Sequence, residues 1–152
     1  MRRKMTKSKL IKITVPVLIA IFAGIQFIPV EKTNPPVTGD IDAPPAVSSI
    51  LKRACYDCHS NETKWPWYSK IAPVSLLIAN DVNEGREYLN FSIWKDLSEE
   101  GHQSIKMAIL EKISKGEMPL PQYKLAHPEA KLTDYDKKII KQWIEPEKGV
   151  RP

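Results

Sequence analysis

The pentapeptide Cys55-Tyr56-Asp57-Cys58-His59 holds both cysteines of this 152-residue chain. C-x-x-C-H is the attachment signature of a c-type haem, in which each thiol adds to one vinyl group of the macrocycle. The two-residue spacer separates the sulfurs suitably, and the adjacent imidazole then serves as the proximal ligand of the iron. This haem motif (residues 55–59) predicts one covalent haem c per chain, bound by Cys55, Cys58 and His59.

Three other uses of a C-x-x-C pair stay open at this point. A thioredoxin-type redox couple needs βαβ surroundings, and no alternation of strand and helix patterns is present. A zinc site would recruit two of the three histidines, but His102 and His127 lie far apart and lack the close spacing of zinc-binding pairs. A structural disulfide is the third use. Haem attachment is favoured over all three.

The first thirty residues have the pattern of an export segment. Six basic and no acidic side chains occupy residues 1–12, and an apolar run follows from Ile13 to Val30. A basic flank before such a run stays in the cytoplasm. Cleavage needs small residues spaced two apart, and neither Ala20 nor Ala23 has one two positions before it. An uncleaved anchor is therefore favoured over a cleaved signal.

These features predict a single-pass N-terminal anchor in the cytoplasmic membrane, with the remaining chain in the periplasm or another extracytoplasmic space. The haem motif agrees, because bacteria attach haem c outside the cytoplasmic membrane and an unliganded cysteine pair there tends to oxidise. The net charge is +5, but residues 31–152 carry 17 basic and 18 acidic side chains, so the positive charge belongs to the anchor. A nucleic-acid partner is accordingly not expected.

Three regions follow from composition: an anchor (1–30), a proline-rich extended tether (31–45) and one haem-binding domain (46–152). In the domain, apolar residues recur at helical spacing in four segments, whereas strand alternation is absent. These segments cover about residues 44–56, 73–86, 98–116 and 133–146. The predicted fold is all-α.

The sixth position of the iron decides its chemistry. Met118 is the leading candidate ligand, because it follows the helix-ending Gly116 in a stiff Met-Pro loop and lies far enough along the chain to reach the opposite face of the haem. A gap-filling core methionine is the alternative interpretation. His127 is the rival ligand, and an open or water-filled position is also considered. His102 is expected to be solvent-exposed.

An aromatic cluster follows the haem motif closely along the chain. Trp65, Trp67 and Tyr68 are predicted to line the haem crevice, with an indole N–H or the hydroxyl reaching a propionate. Ordinary hydrophobic packing is the alternative. Arg86 and Lys64 are considered as propionate partners, although solvated charge is the favoured interpretation of each.

Several strings of this sequence are specific in combination. They are Cys-Tyr-Asp-Cys-His-Ser-Asn-Glu-Thr-Lys-Trp-Pro-Trp-Tyr (55–68), Ile-Ala-Pro-Val-Ser (71–75), Glu-Gly-Arg-Glu (84–87), Gly-Glu-Met-Pro (116–119) and His-Pro-Glu-Ala-Lys-Leu (127–132). Through them, most of the domain resembles the bacterial single-haem "haem-binding domain" family, whose members are usually membrane-anchored. The resemblance implies covalent haem on Cys55 and Cys58, with His59 as proximal ligand.

The chain is also similar in outline to monohaem class I cytochromes c, which place a helix, C-x-x-C-H, a later Met-Pro loop and a terminal helix in this order. It departs from them in a longer middle section that contains Trp-Pro-Trp-Tyr. The likeness implies a small cytochrome c-like helical domain around one covalent haem, preceded here by the membrane helix.

Electron transfer by a membrane-tethered single-haem module is the favoured function, with membrane or periplasmic redox proteins as partners. No catalytic residue is predicted, and an electron carrier is favoured over an enzyme. The alternative is a haem-based peroxidase, or a gas or redox sensor, with an open or displaceable sixth iron position. A haem-bearing accessory domain of a larger enzyme is a third hypothesis.

Replacing either cysteine tests the attachment. Cys55→Ala and Cys58→Ala are each expected to weaken or abolish covalent retention of haem, because each removes one thioether. Haem staining after denaturing electrophoresis measures this retention. Staining equal to that of the wild type would contradict the assignment.

Overall fold

The computed structural model describes residues 7–146, and every regular element within that range is a helix. Its α-helices are α1 Lys7–Ile25, α2 Pro45–Ala54, α3 Tyr56–His59, α4 Val74–Tyr88, α5 Glu99–Ser114, α6 Pro121–Ala126 and α7 Asp134–Ile144. Short 3-10 helices cover Trp67–Lys70, Trp94–Asp96 and Pro128–Ala130. The predicted all-α fold is confirmed.

The N-terminal apolar helix begins at Lys7, inside the predicted basic flank, and ends at Ile25. It has a mean hydropathy of 1.9 and no buried residue. Its length and composition suit a membrane anchor or an export signal equally. Arg2, Arg3 and Lys4 of the predicted flank lie outside the described residues.

The described chain divides into two compact units. The first unit comprises residues 7–32 and 65–80, which include α1, one 3-10 helix and the start of α4. The second unit comprises residues 33–64 and 81–146, which include the haem motif and α5 to α7. The domain limits expected from the sequence stay a prediction.

The second unit is built around α2, α5 and α7. Each of these helices carries apolar residues three and four apart, so that one face of each is apolar. These faces pack together with the aromatic residues that follow α4. The buried core residues are Ile41, Val47, Ile50, Leu51, Tyr56, Phe91, Trp94, Ile109, Ile113, Ile140 and Ile144.

Arg53 joins the end of α2 to the chain before α7. Its guanidinium donates to the carbonyl oxygens of Glu129 and Lys131 and pairs with the Asp136 carboxylate at 3.0 Å. Asp136 also closes a capping box with Thr133 at the start of α7. Burial raises the pKa of Asp136, but hydrogen bonds from Thr133 and Arg53 outweigh it and leave this pKa below its usual value.

The proline-rich segment is hydrogen-bonded within the second unit from residue 33 onward. The side-chain amide of Asn34 donates to the carbonyl oxygen of Thr63 at 2.9 Å. The carbonyl oxygen of Pro36 accepts from the side-chain amide of Asn61 at 2.9 Å. This part of the expected tether is therefore extended but held against its own unit.

Candidate functional site

The haem motif lies at the junction of α2 and α3. Cys55 follows α2, and its carbonyl oxygen accepts hydrogen bonds from the backbone N–H groups of Cys58 (3.2 Å) and His59 (2.9 Å). Residues three and four apart lie on the same side of a helix. A single helical turn therefore presents both thiols and the imidazole.

The imidazole of His59 is oriented by two backbone carbonyl oxygens. Its Nδ1 lies 2.8 Å from the carbonyl oxygen of Gly85 and 3.1 Å from that of Leu89. Because a carbonyl oxygen can only accept, Nδ1 carries the proton and Nε2 keeps a lone pair. Nε2 has no hydrogen-bond partner among the described residues. This is how a metal-binding histidine is normally held, through its other nitrogen.

The protonation state of His59 suits the same role. Burial lowers its pKa, and the hydrogen bonds to the carbonyl oxygens of Leu89 and Gly85 oppose that effect without cancelling it. The neutral imidazole is therefore favoured, and a neutral ring is the form that binds a metal.

The two thiols are unpaired and protonated. No disulfide joins Cys55 to Cys58. Burial, followed by the neighbouring Cys58, raises the pKa of Cys55 to about 12. Burial, followed by the carboxylates of Asp81 and Asp57, raises the pKa of Cys58 to about 12. Thioredoxin-type cysteines have a lowered pKa instead, so a thiol-redox couple is disfavoured.

The zinc interpretation also loses support. Between residues 7 and 146, no group of three or more histidine, cysteine, aspartate or glutamate side chains could hold a metal ion by itself. Zinc in a structural site takes four such ligands.

Both spacer residues of the haem motif have structural partners, which the sequence did not indicate. The Tyr56 hydroxyl donates to the Asp40 carboxylate at 2.7 Å, and its ring stacks on Phe91 with centroids 5.2 Å apart. The Asp57 carboxylate accepts from the Tyr123 hydroxyl at 2.7 Å and, through its other oxygen, from the backbone N–H of Lys64. The two spacer residues therefore connect the haem motif to residues 40, 64, 91 and 123 of the second unit.

Gly85 lets α4 approach the haem motif closely. A Cβ atom added at Gly85 would lie 2.5 Å from the carbonyl oxygen of Cys58 and 3.1 Å from its Cβ. Real Cβ atoms do not come so close to backbone, so any side chain here would push α4 away. The same close approach brings the carbonyl oxygen of Gly85 to His59.

Arg86, next to this glycine, is partly exposed, and its guanidinium is hydrogen-bonded to four groups of the second unit. Its Nε donates to the carbonyl oxygen of Ser60 at 2.8 Å. Its two terminal nitrogens donate to the Thr33 carbonyl oxygen, the Asn34 side chain and the Thr63 hydroxyl. The guanidinium thus holds the chain that follows His59 in place.

Met118 lies half-buried in the loop between α5 and α6. It lines a cavity of about 470 Å³ whose wall combines apolar side chains such as Ile113 and Leu132 with three lysines. None of residues 55–59 lines this cavity. Met118 as sixth iron ligand therefore stays a prediction.

The two other histidines are engaged elsewhere in the second unit. His102 is half-buried, contrary to expectation, because it stacks on Trp94 at 4.7 Å and its Nε2 donates to the carbonyl oxygen of Trp94 at 2.9 Å. His127 stacks on Tyr123 at 4.5 Å and lies 3.2 Å from the Glu129 carboxylate.

The aromatic cluster predicted to line the haem crevice, Trp65, Trp67 and Tyr68, lies in the first unit. Trp67 and Tyr68 meet edge to face with ring centroids 5.7 Å apart. The indole Nε1 of Trp65 is buried and has no hydrogen-bond partner among the described residues. Contact of these three side chains with haem stays a prediction.

Gly85→Ala tests the close approach of α4. We expect the free energy of unfolding to fall by about 1–3 kcal/mol, as for other overpacked sites, together with a lower yield of covalent haem. Denaturant titration and haem staining measure the two effects. Gly101→Ala is the control, because a Cβ there meets nothing nearer than 3.4 Å and alanine is the better helix former. Equal effects of the two changes would contradict the packing argument.

Tyr123→Phe tests the connection between α6 and the haem motif. Burial and the Asp57 carboxylate raise the pKa of Tyr123, so its hydroxyl remains a donor. Losing a hydrogen bond to a charged group should lower the free energy of unfolding by about 1.5–3 kcal/mol, measured by urea unfolding of haem-loaded protein. Tyr135→Phe removes an exposed hydroxyl and should have little effect. Similar losses in both variants would rule out the proposed contribution.

Comparison with known families agrees with the geometry. The profile of the family described as "Haem-binding domain" matches residues 20–146, which include the haem motif, Gly85 and Met118. No curated protein and no solved structure gives a significant match. Since the match spans most of the chain, this protein belongs to the haem-binding domain family.

Proposed function

We propose that this protein carries a covalently bound c-type haem and transfers electrons while tethered to the outer face of the cytoplasmic membrane. The orientation of His59 supports this most directly, since Nδ1 donates to two backbone carbonyl oxygens and Nε2 has no hydrogen-bond partner within residues 7–146. Two unpaired thiols lie on the same helical turn. Family membership supports haem as the cofactor, and C-x-x-C-H supports its mode of attachment.

The residues of the motif fit covalent attachment chemically. Each thiol would add across one vinyl double bond, so that sulfur bonds to one carbon and the thiol proton goes to the other. No oxidant would be consumed, and Cys55 and Cys58 are free of any disulfide, as the addition requires. His59 would bind iron through Nε2, with its ring orientation set by the carbonyl oxygens of Gly85 and Leu89.

A bound haem would supply a one-electron couple between Fe(III) and Fe(II), through which the protein would pass an electron from a reduced partner to an oxidised one without breaking a bond. The task of the protein is to keep the ligand geometry constant, which the hydrogen bonds of His59 serve. A thioether from Met118 would favour the ferrous state and raise the reduction potential.

The proposed location follows from the N-terminal segment. α1 is apolar and has no buried residue, as a membrane anchor would. Basic residues before and within its first turns would stay in the cytoplasm. The haem-binding part of the chain would then face the periplasm or the equivalent space, where membrane or periplasmic redox proteins are its expected partners.

A haem-based peroxidase or a gas or redox sensor is the second candidate function. It requires a sixth iron position that is open or held by a displaceable ligand. Peroxidase chemistry needs an acid–base group beside the iron. His102 and His127 are the histidines available for that role, and both are stacked on aromatic rings.

Absorption spectra of the haem-loaded protein separate the two functions. For an electron carrier with methionine-bound Fe(III), the oxidised protein should show a weak long-wavelength band. Met118→Ala should abolish this band without releasing haem, whereas Met107→Ala, an exposed methionine in α5, should leave it unchanged. A high-spin wild-type spectrum would support the second candidate. A band that survives in Met118→Ala would exclude Met118 as the ligand.

A further inference from the structure

Four large apolar side chains within residues 67–77 of the first compact unit are exposed, and we call them the apolar patch. They are Trp67, Ile71, Val74 and Leu77, whose exposed fractions run from 41% for Ile71 and Val74 to 74% for Trp67. Val74 and Leu77 are three positions apart in α4 and therefore share one face of that helix. Large apolar side chains that cluster at a surface mark an interaction site more often than scattered ones do.

Hydrogen bonds within the first unit hold this apolar patch beside the end of α1. The side chain of Gln26 donates through Nε2 to the carbonyl oxygen of Ala72 at 3.1 Å and accepts from the N–H of Ala72 at 3.0 Å. Nζ of Lys32 donates to the carbonyl oxygen of Ser69 at 2.8 Å. Along the sequence, Ala72 lies between two residues of the apolar patch, directly after Ile71 and two positions before Val74.

We propose that the apolar patch contacts the lipid bilayer at the boundary between headgroups and acyl chains. This inference rests on the proposed role of α1 as a membrane anchor. The residue that ties down the patch, Gln26, directly follows α1, and Phe27 beside it is 87% exposed. Tryptophan side chains such as Trp67 concentrate at membrane–water interfaces.

The charged side chains of residues 65–80 suit a lipid surface. Residues 65–80 contain Lys70 and no acidic side chain, so nothing on them repels anionic headgroups. Burial of apolar surface is favourable in proportion to its area. A protein already anchored through α1 loses little further freedom when the adjacent patch enters the same bilayer, so even a small patch can bind.

Site-specific photocrosslinking tests the contact. The full-length, haem-loaded protein is reconstituted in vesicles of phosphatidylethanolamine and phosphatidylglycerol, with p-benzoylphenylalanine replacing one residue in each variant. Val74 and Leu77 are the test positions, Leu18 in α1 is the membrane reference, and Tyr135, exposed in α7, is the control. If residues 74 and 77 lie at the lipid boundary, their lipid adducts should exceed those at position 135 roughly tenfold.

The possible outcomes distinguish a failure of the proposed lipid contact from a failure of the proposed anchor. Lipid adducts at position 18, with no excess over position 135 at positions 74 and 77, would overturn the lipid contact and leave the anchor intact. Crosslinks from positions 74 and 77 to a second copy of the chain would overturn the lipid contact as well. Absence of adducts at position 18 would overturn the proposed anchor. Each variant must show the wild-type haem spectrum, and Ile71→p-benzoylphenylalanine replaces any variant that does not.

Discussion

The two hydrogen bonds from Nδ1 of His59 to the carbonyl oxygens of Gly85 and Leu89 are the constraint on which the second unit depends. They require the C-terminal part of α4 to lie against the haem motif, and only a residue without a Cβ permits that distance at position 85. They also fix which nitrogen of the ring carries a proton, and so which nitrogen remains available to a metal. One contact between α3 and α4 thus sets both the packing of α4 against the haem motif and the orientation of the His59 imidazole.

A ring of longer-range contacts keeps that arrangement rigid. The Asp57 carboxylate accepts a hydrogen bond from the Tyr123 hydroxyl of α6. Arg86 donates to the carbonyl oxygen of Ser60 and the hydroxyl of Thr63, in the chain that follows His59. Since buried hydrogen-bonded networks allow few alternative geometries, the imidazole has little freedom to turn. Such rigidity would serve the proposed electron transfer, because a ligand that stays in place would keep the environment of the iron similar in both oxidation states.

The helices and the haem motif could be predicted because their patterns are local. Apolar residues three and four apart mark α2, α5 and α7, and the hydroxyls of Ser98 and Thr133 lie where α5 and α7 begin. The contacts that orient the site could not, since they join distant positions. Tyr123 is 66 residues from Asp57, and Thr33 is 53 residues from Arg86. The sequence gives no sign that Arg86 donates to the carbonyl oxygens of Ser60 and Thr33. The place of Met118 relative to the haem motif likewise depends on contacts between distant positions, so its role as ligand stays a prediction.

Arg53, just before the first cysteine, has its partners 76 and 78 residues further along, in the carbonyl oxygens of Glu129 and Lys131. In the proposed orientation, the chain leaves the cytoplasm from the anchor onward, so α2 and the thiols would emerge well before those partners and before α7. Closure of the domain would then be a late event, because the helices that complete its core emerge last. This order would give the cofactor an interval in which to reach two sulfurs that the finished domain leaves only partly accessible.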